Sequence, residues 1–266
     1  MKEIRNFIFD FYGTLVDIQT DENKPELWQK MAEMYSVYGA DYSPEELKDA
    51  YQTACRQEET LMKKKTGMDL VEIDLSNVFL SLLTKAEKKH KSSYKGSRKE
   101  AVFALANMFR LLSRERFGAY PRTISTLQKL KKDGKKIYLL SNAQAVFTLP
   151  EMECAGVVPY LDGIYISSEK GMKNPARQFM ESLLEEYGLD PLESVMVGND
   201  FYSDIQIAQA CNMKSIYLNT FQYSQEKCEA CLQEINRDKK KTYRPLMIMD
   251  GDIGHLKEIN DAELVK

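Results

Sequence analysis

Short apolar runs alternating with helical stretches constrain this chain more than any other feature. Phe7 to Phe9, Lys136 to Leu140, Gly163 to Ile166, Ser194 to Val197, Ser215 to Leu218 and Leu246 to Met249 each read as a buried strand. Helices fit between most of them. Arg122 to Lys132 is closed by Gly134, and Pro175 to Tyr187 is ended by Gly188. Asp204 to Cys211 makes another, with a last one near Gly254 to Ile259. Strand alternating with helix predicts an α/β fold with a doubly wound parallel sheet. Such sheets bind ligands beyond the carboxyl ends of their strands.

The middle of the chain breaks this rhythm. From about Glu22 to Phe117 the pattern is helical and rich in charge. Leu27, Trp28, Met31, Met34, Tyr35 and Tyr38 recur at helical spacing on one face. Ser43-Pro44-Glu45-Glu46 is a helix start, with Ser43 as N-cap and Glu46 completing a capping box. That helix runs on through Tyr51 and Leu61. Further helices fit Leu75 to His90 and Glu100 to Arg116. The basic stretch Lys85 to Lys99, with Ser92 and Ser93 inside it, reads as a solvated loop. Later, Tyr223 to Arg244 reads as an inserted helix plus loop. Its Cys228 and Cys231 read as ordinary helix cysteines, because no second cysteine pair completes a zinc site.

A net charge of −3 offers no global field to attract nucleic acid. No segment has the length of a membrane span, and the N-terminus does not read as a secretory signal. An odd count of five cysteines then argues for reduced thiols and a cytoplasmic protein.

Chemistry gathers at the strand ends. The first run stops at Asp10, a candidate nucleophile; its bland alternative is a turn-capping aspartate. Gly13 allows a tight turn and Thr14 adds a hydroxyl. The second run ends in Ser141-Asn142, where a hydroxyl can hold a phosphoryl oxygen. The third leads to Lys170-Gly171-Met172-Lys173-Asn174-Pro175, where a lysine before a helix can place a point charge on an anion. The fourth ends in Asn199-Asp200-Phe201-Tyr202-Ser203-Asp204, whose two acids can reach one cation; Asp204 also fits a helix N-cap.

These four stretches resemble, in order, the four motifs of the haloacid dehalogenase (HAD) superfamily. Asp10, Gly13 and Thr14 match motif I, whose first Asp is the nucleophile. Tyr12 stands where phosphatases have Asp and where the dehalogenase branch has Tyr. Ser141-Asn142 resembles motif II. Lys173 is taken as the motif III lysine, with Lys170 in reserve and Asn174 as the other alignment. Motif IV resembles Asn199 to Asp204, with either Asn199 or Asp200 facing the site.

The resemblance implies a Rossmann-like HAD core over 1–17 and 119–266. It implies a helical C1 cap, selecting substrate, over 18–118. It implies a magnesium-dependent phosphatase of a small phosphorylated metabolite, working through an aspartyl-phosphate. Asp10, Tyr12 and Lys173 would be catalytic. Thr14, Ser141, Asn142 and Lys173 would bind phosphate. Asp10, the carbonyl of Tyr12, Asp200 and Asp204, with Asn199 as a substitute, would hold Mg2+. Two alternatives stand beside it: a metal-free 2-haloacid dehalogenase, and a non-enzymatic HAD-fold binding protein. The expected partner is a small phosphate ester or other small acid, with no nucleic acid and no membrane, in a monomer or homodimer.

Overall fold

The structure is a computed structural model that describes residues 2–90, 94–237, 239 and 242–259, the side chains of 86–90 excepted. Part of the basic stretch, including Ser92 and Ser93, lies outside the described residues. The chain divides into two compact units: 1–17, 118–143 and 152–266 form one, and 18–117 with 144–151 form the other.

The first unit is built on a six-stranded sheet. Its strands are β1 (Asn6–Phe9), β4 (Lys136–Ser141), β5 (Gly163–Ile166), β6 (Ser194–Gly198), β7 (Lys214–Leu218) and β8 (Leu246–Ile248), in the order β5-β4-β1-β6-β7-β8. Every pairing is parallel. The apolar runs become strands because the central ones are buried along their whole length, as β1 and β6 are. Phe9 pairs with both Leu139 and Val197. Asp10 therefore leaves the sheet at its centre, between the ends of β4 and β6. Helices α5 (Thr123–Lys132), α6 (Ala145–Ala155), α7 (Ser167–Lys170), α8 (Arg177–Tyr187), α9 (Gln206–Ala210) and α10 (Gln225–Asn236) fill the intervals. Phe179, Met180 and Leu183 of α8 pack with Ile8, Leu140 and Met196 of the sheet. Cys228 and Cys231 are buried on α10 beside Phe201, Tyr217 and Leu232, and both are free thiols.

The second unit contains α1 (Pro25–Val37), α2 (Pro44–Thr66), α3 (Leu75–His90) and α4 (Arg98–Ser113). The capping box at the head of α2 is formed in both directions between Ser43 and Glu46. Trp28, Tyr51, Phe79 and Phe109 meet at ring separations of 5.1 to 5.9 Å, giving the unit an aromatic core of its own.

Four departures from the sequence reading have physical causes. Residues 144–151 fall within the stretch expected to be core but pack with the helical unit. Phe147 joins its aromatic cluster, and the buried Glu151 carboxylate accepts from Arg110 at 2.9 Å and Arg114 at 3.2 Å. The helix expected to reach Arg116 stops at Ser113. The chain then pairs as β3 (Arg114–Ala119) with β2 (Val16–Thr20), where it passes between the units. The helix expected from Asp204 starts earlier, as a π turn over Phe201–Ile205, because the Asp204 and Ile205 N–H groups both donate to the Asp200 carbonyl. Asp200, not Asp204, caps it: its carboxylate accepts from Tyr202 and Ser203 N–H at 2.6 and 3.0 Å. The last predicted helix is a 3-10 turn over Ile253–Lys257.

Candidate active site

Asp10 is fixed by its neighbours on both sides. Its N–H donates to the Val197 carbonyl at 3.0 Å, tying it to β6. Its carboxylate accepts from Ser141 Oγ at 2.8 Å and from Thr14 Oγ1 at 3.3 Å. Two hydroxyls from two different sequence motifs thus converge on one carboxylate. It is buried at 8% exposure. Burial pushes its pKa up to about 6, against the pull of the Ser141, Phe11 and Thr14 hydrogen bonds and with a push from the nearby Asp200 charge.

The turn after Asp10 depends on a glycine. Gly13 has φ of +80°, and a Cβ there would meet the Asn199 amide nitrogen at 2.2 Å. Asn199 is buried, and its Oδ1 accepts from Thr14 at 3.3 Å. Of the two motif IV candidates, Asn199 therefore lies against the nucleophile's turn, while Asp200 is exposed and caps the π turn. Tyr12 is half-buried and its ring meets Phe11 edge-on at 4.8 Å.

Asp204 organises the loop after β6 from below. Its Oδ2 accepts from the Asn199 and Asp200 N–H groups, each at 3.1 Å, and its Oδ1 from Ser203 Oγ at 3.0 Å. It is buried at 2% exposure, and its pKa stands well above the ordinary carboxylate range, through burial first and the Asp10 charge second. Gly198 makes room for it, since a Cβ there would lie 2.2 Å from Asp204 Oδ2.

The remaining predicted residues separate into two groups. Asn142 grips the backbone of Asn174: its Oδ1 accepts from the Asn174 N–H at 2.7 Å and its Nδ2 donates to the Asn174 carbonyl at 3.2 Å. That amide positions the loop before α8. Lys173 is half-buried in the same loop. Lys170 donates to Glu186 at 2.7 Å and lies over the Tyr165 ring at 4.0 Å.

Sequence reasoning missed Thr220. Its hydroxyl donates to the Gly13 carbonyl at 2.6 Å and holds the turn from the far side. The signal was present, since Asn219-Thr220 follows the run ending at Leu218. It also missed a second acidic group, Asp250, Asp252 and His255, after the edge strand β8, whose ligand atoms lie within 4.8 Å of one another.

Comparison with known proteins identifies the family. The family model for haloacid dehalogenase-like hydrolases matches residues 4–212, most of the chain. The chain belongs to the haloacid dehalogenase-like hydrolase family. Within curated proteins, a glyceraldehyde 3-phosphate phosphatase of Methanothermobacter thermautotrophicus is 32% identical over 141 residues, 53% of this chain and 58% of that protein. The protein of that name from Methanocaldococcus jannaschii is 30% identical over 97 residues, 36% of this chain and 42% of its own length. The chain thus spans about half the length of these relatives. Among solved structures, the 2-haloacid dehalogenase of Pseudomonas syringae superposes with a TM-score of 0.60 at 16% identity, covering 96% of this chain and 97% of that one. That likeness establishes a shared HAD fold. Among the described residues, no helix is long and apolar enough to cross a membrane.

Proposed function

We propose that this HAD hydrolase is a phosphatase of a small phosphorylated metabolite. The observation that carries the reading is the Asp10 carboxylate, buried at the end of the central strand with the Ser141 and Thr14 hydroxyls on it. Above pH 6 it is mostly ionised and can attack phosphorus, expelling the leaving group and forming an aspartyl-phosphate that water then hydrolyses. Ser141 and Thr14 hold the free nucleophile, and each hydroxyl turns its one proton to a phosphoryl oxygen once the ester is bound. Lys173 supplies the cation of motif III; Lys170, engaged with Glu186, does not. Tyr12 can donate a proton to the leaving group. The helical unit selects substrate, the role the resemblance gives it. The phosphatase names of the two curated relatives support the reaction class.

The donor set around Asp10 fits magnesium. It is made of oxygen atoms only; burial first, with the Asp200 charge beside it, raises the pKa of Asp10, and burial first, with the Asp10 charge second, raises that of Asp204. A divalent cation relieves that repulsion. Asp10, the Tyr12 carbonyl, Asp204 and either Asn199 or Asp200 would hold it. Once bound, it neutralises charge on the phosphoryl group.

One observation favours a second reading. Tyr12, with Asn199 rather than Asp200 against the turn, suits attack of Asp10 on a 2-haloacid carbon, where halide leaves without a proton. A screen of phosphorylated metabolites and 2-haloacids, each with and without magnesium, separates the two. Phosphate release that needs magnesium is the expected result. Halide release without metal would replace it, and silence in both arms would favour a binding protein.

A further inference from the structure

The turn that follows the nucleophile is held from a strand that does not pair with its own. Thr220 follows β7, and β6 lies between β7 and β1 in the sheet. Its Oγ1 nevertheless donates to the Gly13 carbonyl at 2.6 Å, reaching past the end of β6. Gly13 has φ of +80°, and glycine is the residue with most backbone freedom, so its turn gains most from an outside hold. The peptide between Gly13 and Thr14 is planar, so bonds at its two ends set its orientation. Its N–H donates to the Phe11 carbonyl at 3.3 Å, a long bond. Its carbonyl has the short bond from Thr220. Thr14 comes next in the chain. Its one hydroxyl proton is shared between Asp10 Oδ2 and Asn199 Oδ1, each 3.3 Å away, distances that leave little room for drift. Thr220 has a fixed base of its own. Asn219 is buried, and its amide accepts from the Tyr223 N–H at 2.9 Å and donates to the Tyr223 and Met249 carbonyls at 2.8 and 3.1 Å. The Asn219 N–H donates to the Ile248 carbonyl at 3.0 Å, so the loop is stapled to the end of β8.

We propose that Thr220 is a positioning residue for the reaction: it fixes the Gly13–Thr14 peptide, and through that peptide the place of the Thr14 hydroxyl beside the Asp10 carboxylate. The hold matters because a misplacement of about 1 Å at a reacting group costs up to about a hundredfold in rate. The same peptide places Thr14 when its proton turns to the ester, so the hold serves the free and the bound states alike. Attack geometry is read in kcat, whereas the ester has other contacts to bind by, so KM moves less. This inference rests on the phosphatase reading above, with Asp10 as its nucleophile.

The test measures hydrolysis of para-nitrophenyl phosphate, with magnesium present, by wild type, Thr220→Val, Thr220→Ser, Thr14→Val and the Thr14→Val, Thr220→Val double variant, alongside thermal unfolding. Valine keeps the branched shape of threonine and removes the hydroxyl; serine keeps the donor. Thr220→Val is expected to lower kcat about tenfold with KM within about twofold, and Thr220→Ser to stay within about threefold of wild type in both. Adding Thr220→Val to Thr14→Val should slow the protein by less than about twofold, because the route through Thr14 is already cut. A purely structural hydroxyl would instead lower the unfolding midpoint and leave kcat of the folded protein unchanged. A folded Thr220→Val protein with wild-type kcat, or losses from Thr14→Val and Thr220→Val that multiply, would overturn this inference alone. Wild type that cleaves neither para-nitrophenyl phosphate nor any ester of the screen would overturn the phosphatase reading with it.

Discussion

Two acidic groups lie at the carboxyl edge of the same sheet, and they differ in how their charge is met. Asp10 and Asp204 are buried, come from distant parts of the chain, and are held by hydroxyls and backbone N–H groups. Asp250, Asp252 and His255 come from six consecutive residues. Asp250 accepts from the Asp252 N–H at 3.0 Å and bonds His255 Nε2 at 2.8 Å; Asp252 accepts from the Gly254 N–H at 2.8 Å and pairs with Arg122. The side chains of Asp250 and His255 are 60% and 53% exposed. The second group is exposed and tied up by its own turn. The first has been brought out of water, both of its carboxylates lying among the buried polar groups. Proximity of acids is common; burial of acids is the feature that asks for a ligand.

The sharpest way to break this comparison is to neutralise each group. Asp10→Asn is expected to keep the fold and lower turnover at least about a thousandfold, since an amide is a poor nucleophile. Asp250→Asn should leave turnover within about twofold. Steady-state kinetics on any substrate found in the screen checks both. Near wild-type activity in Asp10→Asn would sink the mechanism.

The next effect is on stability. Asp10 titrates near 6 when folded, against an ordinary 3.8. Between those values the native state holds more protons than the unfolded state, so its contribution falls as pH rises and is lost in full above 6. Asp204 shifts in the same direction. Urea unfolding in chelator should therefore show Asp10→Asn gaining on wild type by about 3 kcal/mol from pH 3 to pH 8. A difference that stays flat across that range would mean that Asp10 carries no burial penalty.

Cation binding separates the groups more gently. Calorimetry should find magnesium affinity about tenfold weaker in Asp204→Asn and unchanged in Asp252→Asn. Equal affinity in Asp204→Asn and wild type would remove Asp204 from the metal site. For the anion, Lys173→Ala should weaken binding of a phosphate mimic by about tenfold, and Lys170→Ala far less, because Lys170 is spent on Glu186. The reverse ranking would move the motif III charge to Lys170.

The parts of this site that were legible in the sequence are those set by one strand and its next few residues. A buried run forces its terminal residue to the sheet edge, so Asp10 and Ser141 could be placed without coordinates. What could not be read depends on where loops travel. That Asn199 turns toward Gly13, and Asp200 outward, follows from Asp204 drawing both backbone N–H groups to one carboxylate oxygen. That Asn142 holds the Asn174 backbone at both N–H and carbonyl is likewise set by where the loop before α8 travels. The strands β2 and β3 were missed because they are partly exposed and carry charged and polar residues, so burial leaves no continuous apolar run. Phe147 looked like part of the core because it follows β4, yet its ring completes a cluster whose other members are a hundred residues away in places.

The smallest expected effect concerns Tyr12. A phenol, with an ordinary pKa of about 10, can donate a proton but is a poor base at neutral pH. Protonation of an alkoxide leaving group is then slow to be followed by activation of water, and the aspartyl-phosphate persists. Aryl and acyl phosphates, which need less protonation, should be cleaved faster than alkyl phosphates. Tyr12→Asp restores a group that can act as both acid and base. The gain is limited, because the ring is half-buried against Phe11 and its removal leaves a space that the shorter side chain does not fill. A third or fourth negative charge beside Asp10 and Asp204 also opposes the gain unless magnesium is bound. Turnover of an alkyl phosphate should therefore rise about three- to tenfold with magnesium and not at all without it. Burst kinetics in wild type, with phosphate trapped on the protein by acid quench, should fade in the variant. If Tyr12→Asp is folded but no faster, and wild type releases halide from a 2-haloacid, then Tyr12 marks the metal-free reaction and the first reading gives way to the second.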